Sequence, residues 1–181
     1  QRQMCIRDSD LVISKTVTGN YGDRKKKFAF TITINGTADG GEWYKLERTS
    51  GTSGESEPTK IEKGTSATIY LSDGESVKIY GLTKGDTYTI EELATDGADD
   101  YKTTFETKLN GTNKAGGSGN IKTATGTIDA GTSLQIQTVA FTNDRTGSAT
   151  GFVSSYGPYA LMVVLAGAVA FVLFRKKRAE Y

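Results

Sequence analysis

The sequence predicts an all-β domain, a two-sheet sandwich, followed by a single C-terminal transmembrane helix. Three observations carry that prediction. Between residues 10 and 144, apolar and polar residues alternate in short runs, the period-2 signature of half-buried strands. Turn residues separate the runs, at Asn35-Gly36, Asp73-Gly74, Lys84-Gly85-Asp86 and Asn110-Gly111. Residues 158–174 form an uncharged apolar block, which Arg175, Lys176, Lys177 and Arg178 terminate.

LVISKTVTG puts Leu11, Ile13, Lys15 and Val17 on one face. FAFTITING turns Phe28, Phe30, Ile32 and Ile34 inward and Ala29, Thr31 and Thr33 outward. EWYKLER, ATIYLSDG and ESVKIYGL supply the next three strands, with Trp43 expected in the core. DTYTIEE gathers Tyr88, Ile90 and Glu92 on one face, and YKTTFETKL, NIKTATGTI and SLQIQTVAFTN complete the set. Eight or nine such strands in this length point to a sandwich of the immunoglobulin type. KAGGSG (114–119) reads as a flexible surface loop and RKKK (24–27) as a solvated hairpin tip. Both Asn-Gly-Thr triplets read as turns rather than as glycosylation acceptors.

Composition removes several functions. The net charge is +1 and the cations are scattered, so no nucleic-acid partner is expected. There is no histidine, which takes away the commonest general base and the commonest metal ligand. No metal and no cofactor are expected. Glu91 and Glu92 are adjacent, so a strand aims them at opposite faces and they make no catalytic carboxylate pair. An enzyme is therefore not expected. Cys5 is the only cysteine, so an intrachain disulfide is impossible. Residues 1–9 show no alternation and read as a non-native leader, and the chain as the C-terminal part of something longer. The domains then run 10–145 for the sandwich, 146–157 for a linker, 158–174 for the membrane span and 175–181 for a cytoplasmic tail.

Alternation turns three polar side chains inward: Lys15 on the first strand, Glu92 on a middle one and Asn143 on the last. A buried charge must be paired or neutralised, because leaving it unpaired costs several kcal/mol. Burial lowers the pKa of an amine and raises that of a carboxyl. A neutral Lys15 is then a nucleophile, and Glu92 is a proton shuttle able to hydrogen-bond the Asn143 carbonyl. Attack of Nζ on the Asn143 side-chain carbon expels ammonia and leaves an amide between two side chains. Proximity alone is worth about 7–11 kcal/mol of barrier, so no cofactor is needed. The same three residues also suit a salt-bridged cluster with no covalent bond.

These residues resemble those of the collagen-adhesin B-type (Cna B-like) domains of Gram-positive surface proteins and pilins. The likeness rests on ISKTVTG with Lys15, LSDGESVKIYGLTKGDTYTIEE with Glu92 and VAFTND with Asn143, and covers roughly residues 10–145. It implies an internal Lys15–Asn143 isopeptide bond assisted by Glu92, in a structural stalk or pilin-type adhesin module. Neighbouring pilin subunits or a host ligand are the implied partners. The alternative function is a ligand-binding adhesin domain contacting host protein or glycan, through the Trp43-Tyr44 strand or the Gly-rich loop, and retained by its transmembrane helix.

The tail resembles a sortase sorting signal, in which a recognition motif precedes an apolar segment and a basic stop. At 1.5 Å rise per residue, residues 158–174 span about 25 Å, close to the least a helix needs to cross a bilayer. The basic cluster stays cytoplasmic, which places the domain outside the cell. The matching motif is Ala149-Thr150-Gly151-Phe152, with cleavage between Thr150 and Gly151. The Leu and Pro of the usual motif are missing, and Thr146-Gly147 is a second Thr-Gly pair. Sortase and a peptidoglycan precursor are the implied partners, and the implied location is the cell surface, anchored to wall or membrane.

Overall fold

A computed structural model describes residues 9–36, 43–52, 57–94, 100–117, 120–129 and 134–147. The described residues hold eleven strands. They are β1 (Ser9–Thr18), β2 (Phe28–Asn35), β3 (Trp43–Ser50), β4 (Lys60–Glu62), β5 (Ser66–Leu71) and β6 (Ser76–Leu82). β7 (Thr87–Glu92), β8 (Lys102–Leu109), β9 (Thr112–Gly117), β10 (Thr123–Thr127) and β11 (Gln135–Asp144) follow. A seven-stranded sheet runs β4-β3-β6-β1-β11-β8-β9, and a four-stranded sheet runs β10-β7-β2-β5. The expected all-β, two-sheet architecture is present.

Alternation makes each strand two-faced, and the buried faces meet between the sheets. Leu11, Ile13, Val77, Ile79, Val139 and Phe141 of the larger sheet face Phe28, Phe30, Ile32, Ile34, Ile69 and Ile90 of the smaller, all fully buried. The Phe30 and Phe141 rings meet edge-on across the gap, with centroids 5.1 Å apart. The first and last strands lie side by side and parallel, with Lys15 opposite Phe141 and Val17 opposite Asn143. The other strand pairs are antiparallel. Asn110 and Gly111 close the β8–β9 hairpin with φ of 48° and 82°, the double positive φ that a type I′ turn requires.

Four expectations need correction. Lys114–Gly117 of the supposed flexible loop belong to β9, whose Gly-rich backbone gains its hydrogen bonds from β8. β4 was not expected; it is three residues long and pairs with β3. Trp43 is 52% exposed, because β3 turns Tyr44 and Leu46 inward and Trp43 outward. Ser9, assigned to the leader, begins β1, is buried, and donates its hydroxyl to the Asp129 carbonyl.

Among the described residues no helix is long and apolar enough to cross a membrane. Residues 148–181, including Thr150, Gly151, the 158–174 block and Arg175 to Arg178, lie outside the described residues.

Candidate functional site

The turn between β5 and β6 fixes the backbone around Lys15. Lys15 N–H donates to the Glu75 carbonyl at 3.0 Å, Gly74 N–H donates to the Lys15 carbonyl at 2.9 Å, and Val17 N–H donates to Asp73 Oδ1 at 2.7 Å. The Ser-Asp-Gly-Glu run therefore does more than reverse the chain: it pins β1 on both sides of the lysine. Glu92 ends β7 in the opposite sheet, with its N–H bonded to the Lys122 carbonyl. Asn143 lies near the end of β11, opposite Thr103 of β8.

All three side chains point into the sandwich. Relative exposures are 1% for Lys15, 1% for Glu92 and 0% for Asn143. Lys15 Nζ donates to Glu92 Oε2 at 2.6 Å, and Asn143 Nδ2 donates to Glu92 Oε1 at 2.5 Å. The lysine nitrogen also stands 4.3 Å from the Phe28 ring centroid and 5.4 Å from that of Phe30. Burial pulls the Lys15 ammonium down from 10.5 to about 8, against the Glu92 charge and hydrogen bond, which hold it up. A free amine is thus accessible near neutral pH.

One detail departs from expectation. The amide nitrogen of Asn143 faces Glu92, not the carbonyl, and Asn143 Oδ1 is buried without a hydrogen-bond partner. The reason is the ion pair: an ionised carboxylate only accepts, so it gathers donors around it. Thr103 supplies a third, with Oγ1 3.5 Å from Oε1. Sequence reasoning missed Thr103, although alternation in YKTTFETKL turns it inward with Thr107. A second buried polar group lies further along the same strands, where Gln137 Nε2 donates to Tyr88 Oη at 2.8 Å. Glu91 is exposed, and Asp144 accepts from Thr18 and Thr146 hydroxyls on the other face.

A family match covers residues 9–145, the whole of the described sandwich up to Arg145. The chain belongs to the family described as "Domain of unknown function (DUF7601)". It is 38% identical over 107 residues to the pilus tip adhesin Cpa of Streptococcus pyogenes, covering 59% of this chain and 14% of that protein. It is 29% identical over 179 residues to a pilin of Streptococcus pyogenes serotype M1, covering 93% of this chain and 49% of the pilin. This DUF7601 chain thus spans about half the length of the pilin and far less of the adhesin. The pilin match covers more of the chain than residues 1–147 can supply, so it runs into the tail. Among solved structures, the major pilin from Streptococcus pyogenes superposes with a TM-score of 0.60 at 25% identity, covering 77% of this chain and 48% of the pilin. The pilus-presented adhesin Cpa gives 0.53 at 28% identity, covering 81% and 29%.

Proposed function

We propose that the chain is a structural module of a Gram-positive surface pilus or adhesin stalk, closed on itself by a Lys15–Asn143 isopeptide bond. The observation that carries this reading is one carboxylate, fully enclosed, touching both an amine and a carboxamide on the two terminal strands. The kinship with pilins and a pilus adhesin supports the surface role.

The chemistry balances without a cofactor. A proton moves from Lys15 to Glu92 along the 2.6 Å bond, giving a neutral amine and a neutral acid. A half-turn of the Asn143 carboxamide brings its carbonyl oxygen to the acid and relieves the partnerless Oδ1. Nζ attacks Cγ while Glu92 protonates the oxygen. Glu92 takes a proton from Nζ and hands it to Nδ2; the Cγ–Nδ2 bond breaks, ammonia leaves, and Glu92 takes back the proton on the oxygen as the amide carbonyl re-forms. One N–C bond forms, one breaks, and the buried charges are gone. The rings of Phe28, Phe30 and Phe141 keep water out, so the amide is not hydrolysed.

The tail extends the proposal. A match to a pilin that continues past Gly147 supports a shared C-terminal anchor. Residues 158–174 serve as the membrane span, Arg175 to Arg178 as its cytoplasmic stop, and Thr150-Gly151 as the point where a sortase transfers the chain to a peptidoglycan precursor or to a neighbouring subunit. Surface-extracted protein is expected to end at Thr150; an intact tail ending at Tyr181 contradicts sortase transfer and leaves membrane retention.

Intact mass tests the cross-link. The recombinant domain is expected to weigh one ammonia less than its sequence, and Lys15→Ala, Glu92→Ala and Asn143→Ala to weigh their full calculated masses. A parent at full mass removes the bond and leaves an ion-paired core.

One observation favours a second reading, a ligand-contacting module. Trp43 stands exposed on the outer face with Tyr80, over whose ring Lys45 and Lys78 place their ammonium groups at 5.1 and 4.7 Å. If that face binds glycan or host protein, Trp43→Ala abolishes capture on a matrix-protein or glycan array without moving the melting temperature. Equal capture by the variant rejects this reading.

A further inference from the structure

Glu92 receives three donors, and the proposed condensation consumes two of them. Lys15 surrenders protons as it becomes an amide, and the Asn143 carboxamide becomes tetrahedral and loses its nitrogen. Neither can hold the carboxyl steady while it shuttles protons. A glutamate χ3 has a broad, roughly two-fold profile, so an unheld carboxyl turns readily. Among the described residues, Thr103, with Oγ1 3.5 Å from Oε1, is the side-chain hydrogen-bond partner of Glu92 that the reaction leaves unchanged.

We infer that Thr103 is a positioning residue: its hydroxyl keeps the Glu92 carboxyl in the plane that serves Lys15 from Oε2 and Asn143 from Oε1. This rests on the isopeptide reading above. Two further observations support it. Thr103 is fully buried, and a hydroxyl in that setting costs free energy unless it is bonded, whereas an isosteric valine would lodge there freely. The backbone also fixes Thr103 relative to Glu92. Thr103 N–H donates to Asn120 Oδ1 at 3.0 Å, and its carbonyl accepts from Ile121 N–H at 2.8 Å. Two residues from Asn120, the Lys122 carbonyl accepts from Glu92 N–H at 2.8 Å. The connector between β9 and β10 thus straps the threonine of one sheet to the glutamate of the other. Across β8 and β11, Thr103 stands directly opposite Asn143, so hydroxyl and carboxamide are cross-strand neighbours.

The test is the rate of ammonia loss, followed by intact mass after a short pulse of cell-free synthesis. Thr103→Val is expected to slow the loss by about tenfold or more, and Thr103→Ser to stay within about twofold of the parent. A packing role predicts the reverse order, since valine keeps the volume and serine loses a methyl group. Thr103→Val at the parental rate overturns the inference. Melting temperatures of both variants in the Asn143→Ala background, which cannot react, separate slow chemistry from poor folding. If the valine variant does not fold there, Thr103→Ser against Thr103→Ala, which differ only by the hydroxyl, replaces it: equal rates overturn the inference. A parent that keeps its full mass defeats the isopeptide reading itself, whereas a parent that reacts while the variants keep pace defeats only the role of Thr103.

Discussion

At the scale of single residues, the lysine is the group whose environment has measurable consequences. The folded-state value of about 8 lies below the ordinary 10.5. Between those limits the unfolded chain binds more protons than the folded one, so stability contributed by Lys15 rises with pH across the window. Below pH 8 both states carry the charge, and the fold bears the full cost of burying it. Asn143→Ala keeps Lys15 and Glu92 but cannot form the amide. Its unfolding free energy is expected to climb by up to about 1.4 kcal/mol per pH unit between pH 8 and 10. The upper limit is set by Tyr88, whose phenol burial holds neutral above its ordinary 10.0, so its contribution falls as pH rises further. A parent closed by the proposed bond would have no amine at Lys15 and is expected to show no such climb; urea titrations at stepped pH make the comparison. Lys15, Glu92 and Asn143 were legible in the sequence because a charge or carboxamide at an inward position breaks the alternation. Thr103 did not stand out, since threonine is at home on either face of a strand and an inward one does not break the alternation. Nor did the orientation of the Asn143 amide, which depends on the charge of its neighbour.

At the scale of elements, the strands that were legible carry their own apolar stripe: β1, β2, β7 and β11 alternate over most of their length. β4 is too short to show a period, and β9 (TNKAGG) has no stripe at all, because as an edge strand with an exposed face it is held by backbone pairing to β8. Gly126 on β10 shows how closely neighbouring strands of the small sheet approach, since its cross-strand partner on β7 is Tyr88. A Cβ there would fall 2.4 Å from Tyr88 Oη, the hydroxyl that receives the Gln137 amide. Gly126→Ala is therefore expected to destabilise the domain by about 1–3 kcal/mol, by displacing Tyr88 and its buried hydrogen bond. Thermal or urea unfolding measures it, and an unchanged midpoint means that β10 yields without strain.

At the scale of the whole domain, the parallel pairing of β1 and β11 decides what a cross-link does. This pairing joins the two ends of the fold and was not legible locally, since nothing in either run names its partner. The chain enters at one end of β1 and leaves at the opposite end of β11, so tension shears the pair along its length. A bond from Lys15 to Asn143 carries that tension directly and bypasses the segment between. Closing so long a loop also stabilises the fold by about 4–5 kcal/mol through the unfolded state. Pulled from its two ends, the parent is expected to show no unfolding step, whereas Asn143→Ala releases a contour length on the order of 400 Å. The most direct measurement is tandem mass spectrometry of a proteolytic digest of the unreduced, denatured domain. The account predicts one branched peptide joining the Lys15 segment to the Asn143 segment, lighter than their sum by one ammonia, with fragment ions on both arms. Two separate linear peptides, with Lys15 and Asn143 unmodified, contradict it.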